Sequence, residues 1–171
     1  PIERVSGQLS DHYDPRTRVV RLSTDVYGST SLAALGVAAH EVGHAVQHDS
    51  GYLPLYIRNT VIPVTQFGSY AAIPMFMLGL FMGSPSLARV GILLFGAIVF
   101  FQLITLPVEF NASSRALATL GGEGFLDDTE LKGTSKVLRA AALTYVAAAL
   151  MAVLQLLRLV VIAGFLGGYD D

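Results

Sequence analysis

The chain has 171 residues, a formal net charge of −2, no cysteine, 53% hydrophobic residues and only 14% charged ones. Soluble domains carry roughly 25% charge, so this composition and a mean hydropathy of +0.56 exclude an ordinary soluble protein. The lack of cysteine excludes disulfides and thiolate metal sites, and the lack of a basic cluster argues against nucleic acid as a partner.

The chain starts at Pro1, and a preceding targeting or anchor segment is expected. The first elements are short. "SDHYDPRTRVVRLS" reads as two extended runs around a turn at Asp14-Pro15-Arg16-Thr17, with Val19, Val20 and Leu22 on a small strand. "GSTSLAALGVAAHEVGHAVQH" reads as a helix, capped by Ser29 or Thr30 and ended by Gly51 and Pro54. Three uncharged runs follow, at about 61–83, 90–108 and 140–164. Each suits a membrane helix, which needs roughly 20 apolar residues. Between the last two, "EFNASSRALATL" stays helical until Gly121-Gly122, and "FLDDTELKGTSK" is a polar connection with a cap at Asp127 or Asp128.

The expected fold is therefore a mostly α membrane protein. It has about three transmembrane helices, plus one motif-bearing helix and a small strand or hairpin segment on one membrane side. We read residues 1–171 as a single domain, with 1–58 membrane-proximal and 59–171 holding the spans and their connecting loop. The first two spans form a hairpin, so the 38–48 helix and Glu109 share one side. Arg58, Arg115, Lys132, Lys136 and Arg139 lie on that side too, while Arg89 and the Asp170-Asp171 tail lie on the other. The positive-inside rule then makes the shared side cytoplasmic.

Chemistry concentrates in "AAHEVGHAVQH", residues 38–48. His40 and His44 are four apart on one helical face, so both imidazoles can reach one ion, as in H-E-x-x-H zinc sites. Glu41 falls beside the ion, where it can act as general base, and Gly43 leaves room next to the site. The flanking Ala38, Ala39, Val42, Ala45 and Val46 suggest a largely buried helix, in which two histidines and a glutamate need compensation.

A catalytic zinc usually takes three protein ligands and a water. A metzincin would place the third ligand six residues after His44, but Ser50 stands there. His48 is rotated roughly 40° and advanced about 6 Å, which suits a supporting role or a helix C-terminal charge better. His12, beside Asp14, is another candidate. Glu109 is the strongest, because it ends an uncharged run, lies on the correct side and sits among apolar neighbours.

The blocks "GQLSDHYDPRTRVVRLS", "GVAAHEVGHAVQH", "LPVEFNASSRAL" and "KVLRAAALTYVAAALMAVLQLL" resemble the YugP-type neutral zinc metallopeptidases, which are bacterial membrane proteins. The resemblance covers nearly the whole chain. More distantly, H-E-x-x-H followed by E-F-x-A is similar to the HtpX-like and CAAX prenyl proteases. That similarity implies Glu109 as the third zinc ligand. Those families carry an acidic residue four positions later, where this chain has Ser113, so support for the ligand must differ.

These readings converge on an integral membrane zinc metallopeptidase of the gluzincin type in a bacterial cytoplasmic membrane, with its site on the cytoplasmic side. One zinc would be held by His40, His44 and Glu109, with Glu41 as base and His48, His12 or Ser113 as supporting or transition-state residues. His48, His12, Tyr52 and Tyr56 are the candidates for stabilising the oxyanion. The strand near Val19 to Leu22 is expected to pair with substrate backbone. The partners are a peptide or protein substrate and the lipid bilayer, with a membrane-protein partner or homo-oligomer left open. The rivals are a non-catalytic membrane scaffold, whose structural metal would be closed by His48 or His12, and an intramembrane protease.

Overall fold

The computed structural model describes residues 1–167. The acidic tail Asp170-Asp171 lies outside them. The chain is mostly helical, with a small sheet near its start. The strands are β1 (Ile2–Val5), β2 (His12–Asp14) and β3 (Val19–Ser23), and the helices are α1 (Thr24–Tyr27), α2 (Leu32–Asp49), α3 (Leu53–Phe81), α4 (Pro85–Gly122) and α5 (Asp128–Gly167). Among the described residues, α3, α4 and α5 are long and apolar enough to cross a membrane. The second and third expected spans lie within α4 and α5, while the first runs two residues past the end of α3 at Phe81.

The chain divides into two compact units. One comprises 1–56 and 107–144, the other 57–106 and the described residues from 145 onward. The first holds the sheet, α2 and the polar ends of α4 and α5. Its core includes Val19, Val20, Leu22, Ala34, Val108, Ala112, Ala116 and Leu138. In the second, Phe76, Ala88 and Leu159 are buried together. There Gly91 lets α4 approach α3, because a Cβ at that position would meet the Phe76 backbone nitrogen at 2.6 Å.

The expected hairpin is present. β2 pairs antiparallel with β3, placing Tyr13 opposite Val20, and Asp14 caps the turn by accepting from the Arg16 amide and the Thr17 hydroxyl. β1 adds to the other side of β3 in parallel, in the order β1-β3-β2. This corrects one expectation. β3 is the central strand, with both edges already bonded, so Val19 to Leu22 cannot pair with a substrate. The outer edges of the sheet belong to β1 and β2.

Two cap assignments resolve. The N-cap of α2 is Ser31, not Ser29 or Thr30, and its hydroxyl accepts from the Ala34 amide. Ser29 instead accepts from the Ser31 amide, one step earlier. At α5, Asp127 accepts from the amides of Thr129 and Glu130, while Glu130 accepts from the Asp127 amide. This reciprocal pair is a capping box.

Candidate metal centre

α2 is not buried all round, since Val46 is 41% exposed. Its buried stripe is Ala34, Gly36, Gly43, His44 and Gln47. Gly43 fits directly against the backbone of α4, where a Cβ would lie 2.5 Å from the Ala112 carbonyl oxygen. This close approach brings the histidine face of α2 onto the stretch of α4 that carries Glu109.

His40 Nε2 lies 3.1 Å from Glu109 Oε2, and His44 Nε2 lies 3.6 Å from the same oxygen. One donor atom from each residue falls within 4.8 Å of the others. Zinc binds imidazole nitrogen and carboxylate oxygen at about 2.0–2.2 Å, which sets the edge of a tetrahedral donor set at about 3.3–3.5 Å. These two separations bracket that edge and the third is no longer than 4.8 Å, so the residues can close around a zinc ion.

The far sides of both rings are held. His40 Nδ1 is 3.1 Å from Ser113 Oγ, and His44 Nδ1 is 3.0 Å from Gln47 Oε1. Histidine ligands commonly use their second nitrogen in this way. Ser113, four residues after Glu109, thus serves His40. Gln47 was missed in the sequence. It is fully buried, and its spacing of three from His44 on one helix is the signal that could have found it.

Burial pushes the Glu41 carboxyl above its usual range, opposed by His44 and His40 and reinforced by Glu109. The backbone amide of Tyr13, on β2, bonds to the same carboxylate. Burial disfavours a charged His44, but hydrogen bonding and charge from Glu109 outweigh it and leave the imidazole pKa raised.

The remaining candidates lie outside this donor group. His48 Nδ1 is 2.8 Å from the Tyr13 hydroxyl, and the two line a cavity of about 370 Å³ with Arg18, Asp49 and Tyr56. The exposed His12 donates Nδ1–H to the Ser10 carbonyl at 2.7 Å. Tyr52 donates to the Pro107 carbonyl at 3.4 Å and Tyr56 to the His48 carbonyl at 3.5 Å.

With this geometry in view, the comparisons are direct. The model of a family described as "Putative neutral zinc metallopeptidase" matches residues 1–164. The chain belongs to that family. It is 55% identical to "Putative membrane protease YugP" of Bacillus subtilis (strain 168), over all of this chain and 75% of that protein. No solved structure matches. Members of this family are thus described as zinc peptidases, and this member carries apolar helices of membrane-spanning length.

Proposed function

We propose that this chain is an integral membrane zinc metallopeptidase of the gluzincin type. His40, His44 and Glu109 hold one zinc ion, and Glu41 is the general base. The observation that carries this reading is the convergence of both Nε2 atoms on one Glu109 oxygen. Zinc in such a site supplies Lewis-acid polarisation of the scissile carbonyl and acidifies a water.

The chain's own residues do the rest. Glu41 accepts a proton from the attacking water and returns it to the leaving amine. A carboxyl raised by burial is a better base near neutral pH than an ordinary one. The Tyr13 amide orients it. Among the described residues, the donor atoms that converge are those of His40, His44 and Glu109, without His48 or His12, which favours a three-residue donor set over a closed structural site. β2, at the sheet edge beside Glu41, is where an extended peptide would pair. If so, N-methylating a test peptide at one backbone position near the scissile bond abolishes cleavage; insensitivity at every position rejects pairing.

The ligand and base roles are tested by zinc content and cleavage of an unfolded protein. Glu109→Ala should lose the metal, and Glu41→Gln should keep it while losing cleavage. Full stoichiometric zinc in Glu109→Ala would overturn the ligand set.

The basic residues Arg58, Lys132, Lys136 and Arg139 favour a cytoplasmic site in the cytoplasmic membrane. Residues 1–171 hold no cysteine, so within them a Lys132→Cys variant carries a single thiol that reports sidedness. Labelling of intact cells by an impermeant maleimide would place the site outside.

A further inference from the structure

His44 is controlled from the end of its ring that faces away from Glu109. The contact between His44 Nδ1 and Gln47 Oε1 is 3.0 Å, and an amide oxygen can only accept. With the amide oxygen facing the ring, the proton in that contact belongs to the histidine. The surroundings of the amide settle that orientation. The Gln47 nitrogen lies 2.7 Å from the Val108 carbonyl and 3.0 Å from Asn111 Oδ1. A backbone carbonyl can only accept, so the group facing it must be the NH₂. Asn111 is oriented in turn, because its Oδ1 also accepts from Arg115 Nε at 2.8 Å, and a guanidinium can only donate. Flipping either amide would set acceptor against acceptor or donor against donor.

We infer that Gln47 is a positioning residue that fixes neutral His44 as the Nδ1–H tautomer, leaving the Nε2 lone pair facing Glu109 and free for the metal, and that Asn111 and Arg115 hold Gln47 in that orientation. This inference rests on the metal-centre reading for its purpose. Its geometry lies within the protein alone.

The two histidines are unequal in this respect. His40 Nδ1 meets the Ser113 hydroxyl, which can donate or accept and so accommodates either tautomer. At Nδ1 His44 has no such choice, and the competing acceptor at Nε2, the Glu109 oxygen, lies farther off at 3.6 Å against 3.0 Å for Gln47. Gln47 is fully buried, so water cannot readily replace its amide when the side chain is changed. Partners of this kind, when removed, typically cost 10–100-fold in metal affinity.

The test uses the full chain in detergent, with Gln47→Met and Asn111→Ala. Gln47→Met keeps the length of the side chain and removes the amide. Two quantities are read: zinc affinity, by competition with a chromophoric chelator, and the His44 tautomer in metal-free protein, from imidazole 15N shifts at a pH where the ring is neutral. Gln47→Met should bind zinc about 10–100-fold more weakly and move His44 toward the Nε2–H form. Asn111→Ala should shift both readings in the same direction by less.

Wild-type affinity and tautomer in a folded Gln47→Met protein would overturn the inference. If Gln47→Met does not fold, unchanged readings in Asn111→Ala would overturn it. If the wild type binds no zinc, the metallopeptidase reading fails, while the tautomer in metal-free protein still decides the role of Gln47.

Discussion

Gly43 and the Ala112 carbonyl oxygen are in backbone-to-backbone contact, with an added Cβ at position 43 reaching 2.5 Å from that oxygen. The obstructing atom belongs to a helix backbone and cannot swing aside as a side chain would. Gly43→Ala must therefore push α2 and the Glu109 stretch of α4 apart. Overpacking of this kind costs about 1–3 kcal/mol. The expected outcome is a lower melting temperature together with weaker zinc binding, although alanine is the better helix former. Wild-type zinc affinity in Gly43→Ala would show that close approach does not set the donor geometry.

Ser113 supplies the hydrogen-bond partner of His40. Ser113→Ala should weaken zinc binding about 10-fold, at the low end of what such partners contribute. Ser113→Asp offers a stronger acceptor at the same place and should restore or exceed the wild-type affinity. Titration of all three proteins with zinc measures the order. Ser113→Ala equal to wild type would remove the hydroxyl from the account.

Asp14 and Arg21 form an ion pair of 2.7 Å across the hairpin. Hydrogen bonds from Arg21, then Thr17 and the Arg16 amide, hold the Asp14 carboxyl well below the usual carboxylate range. A lowered folded-state pKa means that the folded state binds the proton less readily than the unfolded chain. The resulting stability is fully present above the unfolded value of about 3.9 and fades as pH falls through the lower folded value. Arg21→Gln should therefore move the Asp14 titration upward and raise the pH of acid unfolding. A carboxyl 13C titration of Asp14 that does not change in Arg21→Gln would contradict this.

Tyr13 contacts α2 at two points, through its amide to Glu41 and its hydroxyl to His48. Tyr13→Phe removes only the second contact. It should cost about 1 kcal/mol of stability and leave zinc affinity unchanged. A large loss of zinc would mean that His48 belongs to the metal centre after all.

The parts of this site that follow local periodicity were legible in the sequence. His40, Glu41 and His44 declare themselves by helical spacing, and Glu109 by ending an uncharged run. Ser113 was singled out by the resemblance alone, as the position where the HtpX-like and CAAX prenyl proteases carry an acidic residue. Gln47 did not stand out, because a glutamine in a helix ordinarily faces water and only the tertiary fold reveals that this one is buried. β1 was unreadable for a related reason. "IERV" places Glu3 and Arg4 inside the strand, and its parallel pairing with β3 is a distant contact without a local signature. The central position of β3 depends on that same contact, so the misassignment of the substrate-pairing strand followed from missing β1. Ser31 was passed over as the cap because three neighbouring residues could each have served.

His40 and Glu109 are 69 residues apart, and all of α3 and much of α4 lie between them. During synthesis, a chain that has emerged only through α3 already carries both histidines and Glu41 but lacks the carboxylate. On the proposed ligand set, such a chain cannot assemble the complete donor group. The full complement exists only after two helices of membrane-spanning length have been made and folded back to bring α2 against α4. One ion at the proposed ligand set would then tie together chain made before and after those two helices, with α5 still to follow.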